Sequence, residues 1–108
     1  MSKNILHIPS LDYFNNDWDV LQNFLKHRGN PPFHIDDDLD LYDTPIKSLG
    51  NLKSVGGNLY VWHTPIESLG DLTSVGRDLA LTNTPISKTI TEHDIRSQVN
   101  VGGYIYIE

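Results

Sequence analysis

Two consecutive stretches of the chain carry the same order of apolar and polar positions: LDLYDTPIKSLGNLKSVGGN from Leu39 and LYVWHTPIESLGDLTSVGRD from Leu59, each 20 residues long. A third copy opens as LALTNTPIS from Leu79, and VGGYIYIE from Val101 restarts the unit. Val55 and Val75 are 20 residues apart, whereas Val75 and Val101 are 26 apart, which puts a six-residue insertion into the third copy, within TEHDIRSQ. Upstream, IDDD at residues 35–38 takes the place of VGGN and VGRD. Self-similarity at a fixed period of this length predicts stacked coils. Three coils start near residues 39, 59 and 79, and a terminal strand covers residues 104–108.

Within a unit, the alternation at Leu39/Leu41, Leu59/Val61 and Leu79/Leu81 marks a strand with one face buried. A chain that returns every coil to a point about 4.8 Å along an axis stacks these strands into a parallel sheet, so equivalent residues form ladders. The inward ladders are Leu39, Leu59, Leu79 and Ile105, and then Leu41, Val61, Leu81 and Ile107. Ile46/Ile66/Ile86, Leu49/Leu69, Leu52/Leu72 and Ile35/Val55/Val75/Val101 complete the expected core. Burying one such side chain gains roughly 1.5 to 3 kcal/mol, and ordering each residue costs about 1 to 2 kcal/mol, so one coil cannot stand alone. Pro45, Pro65 and Pro85 suit the point where the strand must stop, because proline has no N–H to give.

This pattern resembles the leucine-rich-repeat family, in particular the short LxLxxTPIxSLxxLxxVGG repeats of bacterial and bacteriophage proteins, over about two thirds of the chain. It departs from the commonest repeats in placing Thr44, Thr64 and Thr84 where an asparagine or cysteine ladder is usual; their hydroxyls are expected to bond turn backbone groups. The resemblance implies an α/β solenoid with a stacked parallel sheet, no enzymatic activity, and a bacteriophage or bacterial accessory protein that binds and modulates a host protein.

A solenoid end exposes core and unpaired strand edges, so residues 1–34 are read as an N-terminal cap and residues 35–108 as coils of the same single domain. Phe14, Trp18, Leu21 and Leu25 recur at helical spacing, with Phe24 beside them, and predict a helix over residues 16–28 capped by Asn16 and stopped before Pro31 and Pro32. A short strand over residues 5–8 is expected to precede it, giving a strand–helix–strand crossover into Leu39 that extends the same sheet. At the other end, either the insertion forms a short helix near residues 91–97 that covers the last coil, or Tyr104, Ile105, Tyr106 and Ile107 present an open edge to a second copy or a partner. A homodimer follows from the second case.

Composition narrows the partner more than the fold. Eight basic against fourteen acidic residues give a formal charge of -6, which disfavours nucleic acid and anionic membranes and favours a protein partner. The chain has no cysteine, which removes disulfides and thiolate chemistry and fits a reducing cytoplasm, that of the host for a phage-encoded protein. No signal peptide is apparent in MSKNILHIPS and no run approaches the roughly 20 apolar residues of a membrane span.

Outward positions of the predicted strands are unusually aromatic and acidic. One ladder runs Asp40, Tyr60, Ala80 and Tyr106; on one side of it lie Tyr42, Trp62, Thr82 and Glu108, and on the other Asp38, Asn58, Asp78 and Tyr104. Tyr42, Tyr60, Trp62 and Tyr106 are therefore expected to contact the partner, or else to stabilise the sheet by cross-strand pairing. Asp36, Asp37, Asp38, Asp40 and Asp43 crowd five carboxylates into eight residues, and the first four join the expected partner-binding set. The same cluster admits a nucleic-acid mimic that inhibits a defence or transcription protein, or simply a solvated acidic turn. His7, His27, His34, His63 and His93 show no metal-ligand spacing, so no metal or cofactor is expected. A small-ligand or enzymatic role would rest on His63, which folding can bring near Asp43. Phosphate loops, nucleophile elbows and dinucleotide fingerprints are absent from the sequence.

Overall fold

A computed structural model describes residues 5–107, which form an α/β domain with two parallel sheets and two helices. The strands are β1 (Leu6–Ile8), β2 (Phe33–Ile35), β3 (Leu39–Asp40), β4 (Leu52–Val55), β5 (Leu59–Tyr60), β6 (Ser74–Val75), β7 (Leu79–Ala80), β8 (Asn100–Val101) and β9 (Ile105–Tyr106). Helix α1 covers Trp18–Lys26 and α2 covers Glu92–Gln98, with single 3-10 turns at Leu11–Phe14 and Ile86–Lys88. Glu108 lies outside the described residues.

The four-stranded sheet runs β3-β5-β7-β9 and pairs Leu39 with Leu59, Leu59 with Leu79, and Leu79 with Ile105, the ladder expected from the repeat. A second sheet, β1-β2-β4-β6-β8, aligns Ile8, Ile35, Val55, Val75 and Val101. Both sets of apolar side chains join one buried cluster, together with Trp18, Leu21 and Leu25 of α1.

The crossover from β1 through α1 therefore enters the five-stranded sheet at Phe33, and not the sheet of Leu39 as its sequence suggests. Phe33 and Ile35 are both fully buried, so the segment before the acidic run has an alternation of its own and pairs with β1, while Leu39 keeps the alternation expected of it in the other sheet. The helix also starts later than residue 16. Asn16 has a positive φ of 55°, and the Asp17 side chain accepts from the Asp19 and Val20 N–H groups in its place.

Glycines allow close approach between the segments that follow neighbouring strands of the five-stranded sheet. A Cβ on Gly56 would collide with the Asp36 carbonyl oxygen, one on Gly76 with that of Gly56, and one on Gly102 with that of Gly76. Thr44, Thr64 and Thr84 donate to the carbonyls of Leu41, Val61 and Leu81 at 2.8, 2.8 and 2.6 Å, locking each turn three residues back. The insertion of the third copy becomes α2, opened by a reciprocal pair of hydrogen bonds between Thr91 and Asp94. Arg96 in α2 donates to the Val101 and Gly103 carbonyls at 3.1 and 3.0 Å, which covers that end of the five-stranded sheet.

Candidate functional site

Strand alternation in the four-stranded sheet turns Leu39, Leu59 and Leu79 inward and leaves Asp40, Tyr60 and Tyr106 on the opposite side. Tyr60 and Trp62 stack with centroids 5.6 Å apart and an interplanar angle of 21°. Tyr42 meets Trp62 edge-on at 6.1 Å and His63 edge-on at 5.3 Å. These contacts join aromatic residues on and just after the paired strands β3 and β5 into one patch, in which Tyr42 is 53% and Trp62 37% exposed. Tyr106 belongs to a second pair, with Tyr104 at 6.3 Å.

Between the two groups lies Ala80, which pairs with Tyr60 on one side and Tyr106 on the other. Its expected exposure is not observed: Ala80 is buried, because a methyl group between two tyrosines in register is overshadowed by them. The aromatic ladder is thus two patches with a shallow step between them.

The acidic run is largely absorbed by the backbone. Asp38 accepts from the Asn58 N–H at 2.7 Å, Asn58 from the Asp78 N–H at 2.9 Å, and Asp78 from the Tyr104 N–H at 2.9 Å. This side-chain ladder ties together the segments that lead into β3, β5, β7 and β9, and Gly57 and Gly103 make room for the carboxylates of Asp38 and Asp78. Asp37 accepts from Asp38 N–H and Asp40 from Tyr42 N–H, at 2.8 and 3.0 Å. Their charges remain at the edge of the aromatic patch even so. Burial pushes the Tyr60 phenol above its ordinary pKa, and the carboxylates of Asp38, Asp78 and Asp40 push it further.

His63 occupies a left-handed turn position, with φ of 58°, equivalent to Asp43 at 60° and Asn83 at 60°. Its Nδ1 lies 3.3 Å from the Asn83 side-chain nitrogen, and no ion pair joins it to Asp43 among the described residues. Aspartate, asparagine and histidine are the non-glycine residues most tolerant of this conformation, so all three positions have a turn requirement in common. An open cleft of about 660 Å³ beside them is lined by Asp43, His63, Asn83 and Lys88.

A different pair of histidines converges. His7 and His34 are register partners in β1 and β2, and Asp36 follows directly after β2. His34 Nε2 and His7 Nδ1 lie 3.1 and 3.7 Å from the same oxygen of Asp36, Oδ1. Linear spacing conceals this arrangement, because it depends on the register of a crossover with a helix inside it. The sequence signal that was available is the shared alternation of LHI and FHI.

Among the described residues no helix is long and apolar enough to cross a membrane. Comparison with protein-family models, curated proteins and solved structures finds no match to this chain.

Proposed function

We propose that the chain is a leucine-rich-repeat-like solenoid that works without catalysis, binding a protein partner through the Tyr42/Tyr60/Trp62 patch. The observation that carries this reading is the stacking of Tyr60 on Trp62 with Tyr42 edge-on, on a sheet face that needs no aromatic residue for its core. Tyrosine and tryptophan supply large contact areas at little entropic cost and dominate binding hot spots. Carboxylates of Asp38, Asp78 and Asp40 raise the pKa of Tyr60, so the matching partner surface presents arginine or lysine, which these rings also attract through their faces. The 20-residue offset between paired strands supports the solenoid reading. The resemblance to bacteriophage and bacterial repeats supports a host protein in a reducing cytoplasm as the target.

Capture from extracts of the cells in which the chain is made, with wild type and Trp62→Ala in parallel, identifies proteins held through this patch. The purified partner is then titrated calorimetrically. Trp62→Ala is expected to weaken it by about 2 kcal/mol, close to thirtyfold. Unchanged affinity rejects the patch as the site. Loss of binding on neutralising Asp36 and Asp37 together, with no effect of Trp62→Ala, would point to acidic mimicry of nucleic acid instead.

A second interaction is favoured by the position of β9, which ends the four-stranded sheet with no strand on its outer side among the described residues. We propose that this edge, Tyr104 to Ile107, pairs with a second copy of the chain.

A further inference from the structure

We propose that His7, His34 and Asp36 bind a divalent first-row transition cation of the zinc type, clasping β1 to β2. The three side chains come from two elements that pair in the sheet: Leu6 pairs with Phe33, His7 with His34, and Ile8 with Ile35. Period-two alternation sends Ile8, Phe33 and Ile35 into the core and turns both imidazoles to the other face. Asp36 is fixed beside them because its N–H donates to the Ile8 carbonyl at 2.9 Å.

Donor type and spacing both fit such a cation. Imidazole nitrogen and carboxylate oxygen are its usual non-sulfur ligands, at about 2.0 to 2.2 Å, which places neighbouring ligand atoms of a tetrahedral site about 3.3 Å apart. The two nitrogen-to-carboxylate distances, 3.1 and 3.7 Å, straddle that value, and all three ligand atoms lie within 4.8 Å of one another. His7 and Asp36 have side chains 70% and 54% exposed, so small rotations can close the remaining gap, and a water can complete the shell.

Two further features separate this cluster from an ordinary surface pair. The other ring nitrogen of His34, Nδ1, is hydrogen-bonded to the Ser54 hydroxyl of β4, the outer contact that orients a ligating histidine and leaves Nε2 for the cation. Moreover, the only ion-pair partners of Asp36 among the described residues are these two imidazoles, with no lysine or arginine in ion-pair contact with it.

Zinc chloride titrated calorimetrically into tag-free, chelator-treated protein is expected to show one saturable site per chain. His7→Gln, His34→Gln and Asp36→Asn should each weaken it by on the order of tenfold or more. Ser54→Ala should weaken it by roughly tenfold through loss of orientation. His63→Gln and His93→Gln, outside the cluster, should leave it unchanged. Zinc should also raise the thermal midpoint of wild type and not of His7→Gln, whose exposed position leaves folding intact. Absence of a saturable site, or equal affinity in wild type and His34→Gln, overturns the proposal. So does an equal loss in His63→Gln, which would mark diffuse surface binding.

Discussion

Gly76 sits where a methyl group would collide with the Gly56 carbonyl, and that carbonyl directly follows the paired strand β4, so neither partner can move without changing the spacing of β4 and β6. Gly76→Ala is expected to cost about 3 kcal/mol, the upper range for forcing extra volume into a packed contact. Gly29 gives the opposite case. Its φ is +81° and nothing lies within 4 Å of a Cβ placed there, so Gly29→Ala should cost only about 1 kcal/mol of left-handed strain. Urea unfolding of both variants checks the difference, and equal costs would mean that close approach is not what selects glycine at Gly76. The VGG and VGR signatures are legible as equivalent places in the repeated pattern, but sequence could not say that their glycines answer to the backbone of a neighbouring strand's segment. Asp38 is a similar case. Its carboxylate reads as surface charge in the run IDDD, yet it is spent on the Asn58 N–H 20 residues further along the chain. Ala80 was placed on the correct side of the sheet, and its burial came from the two tyrosines that flank it in register.

At the scale of elements, α2 is held by two devices that respond to different perturbations. The Asp94 carboxylate accepts from the Thr91 backbone N–H while the Asp94 N–H donates to the Thr91 hydroxyl, and the Thr91 backbone, then its side chain, hold that carboxyl below the ordinary carboxylate range. A pKa depressed by folding adds stability that is complete above the unfolded value and is lost as pH falls through the folded one. Helix α2 should therefore loosen as pH drops below about 4, which amide chemical shifts at Thr91 and Asp94 would report. Asp94→Asn should remove that response, and a response that persisted would place its origin elsewhere. Arg96 is the second device, bridging the Val101 and Gly103 carbonyls. Arg96→Ala should lower stability by about 1 to 2 kcal/mol, the value of charge-assisted bonds in a half-exposed setting. Glu92→Ala, which removes only the i,i+4 partner, should cost less than about 0.5 kcal/mol. The insertion itself was legible, because a repeat of fixed length makes six extra residues conspicuous. The second sheet was not. In β4 the inward positions, Leu52 and Val55, are three residues apart, so the segment shows no period-two alternation to read.

On the scale of the whole molecule, the two sheets finish differently at β8 and β9. Helix α2 packs against β8, whereas β9 has Tyr104 71% and Tyr106 48% exposed and no strand outside it among the described residues. The Tyr104 and Tyr106 carbonyls already accept from Leu79 and Leu81 at 2.9 and 2.6 Å, so the alternation of a parallel pair directs the Ile105 N–H outward. A closed dimer through this edge has to be two-fold, which makes the new pair antiparallel; a parallel, head-to-tail pairing would continue into a filament. Sedimentation velocity should thus show a reversible monomer–dimer equilibrium that shifts with concentration. Ile105→Pro, which deletes the outward N–H, should hold the chain monomeric while leaving its circular dichroism unchanged. Trp62→Ala should leave that equilibrium intact, since Trp62 lies two strands away from β9, in the patch proposed for the partner. Wild-type protein that stayed monomeric up to its solubility limit would reject the edge pairing and leave the aromatic patch as the sole proposed contact surface. A dimer would place two such patches in one assembly, so a partner presented in pairs should bind it far more tightly than it binds Ile105→Pro, by effective concentration and without any new contact.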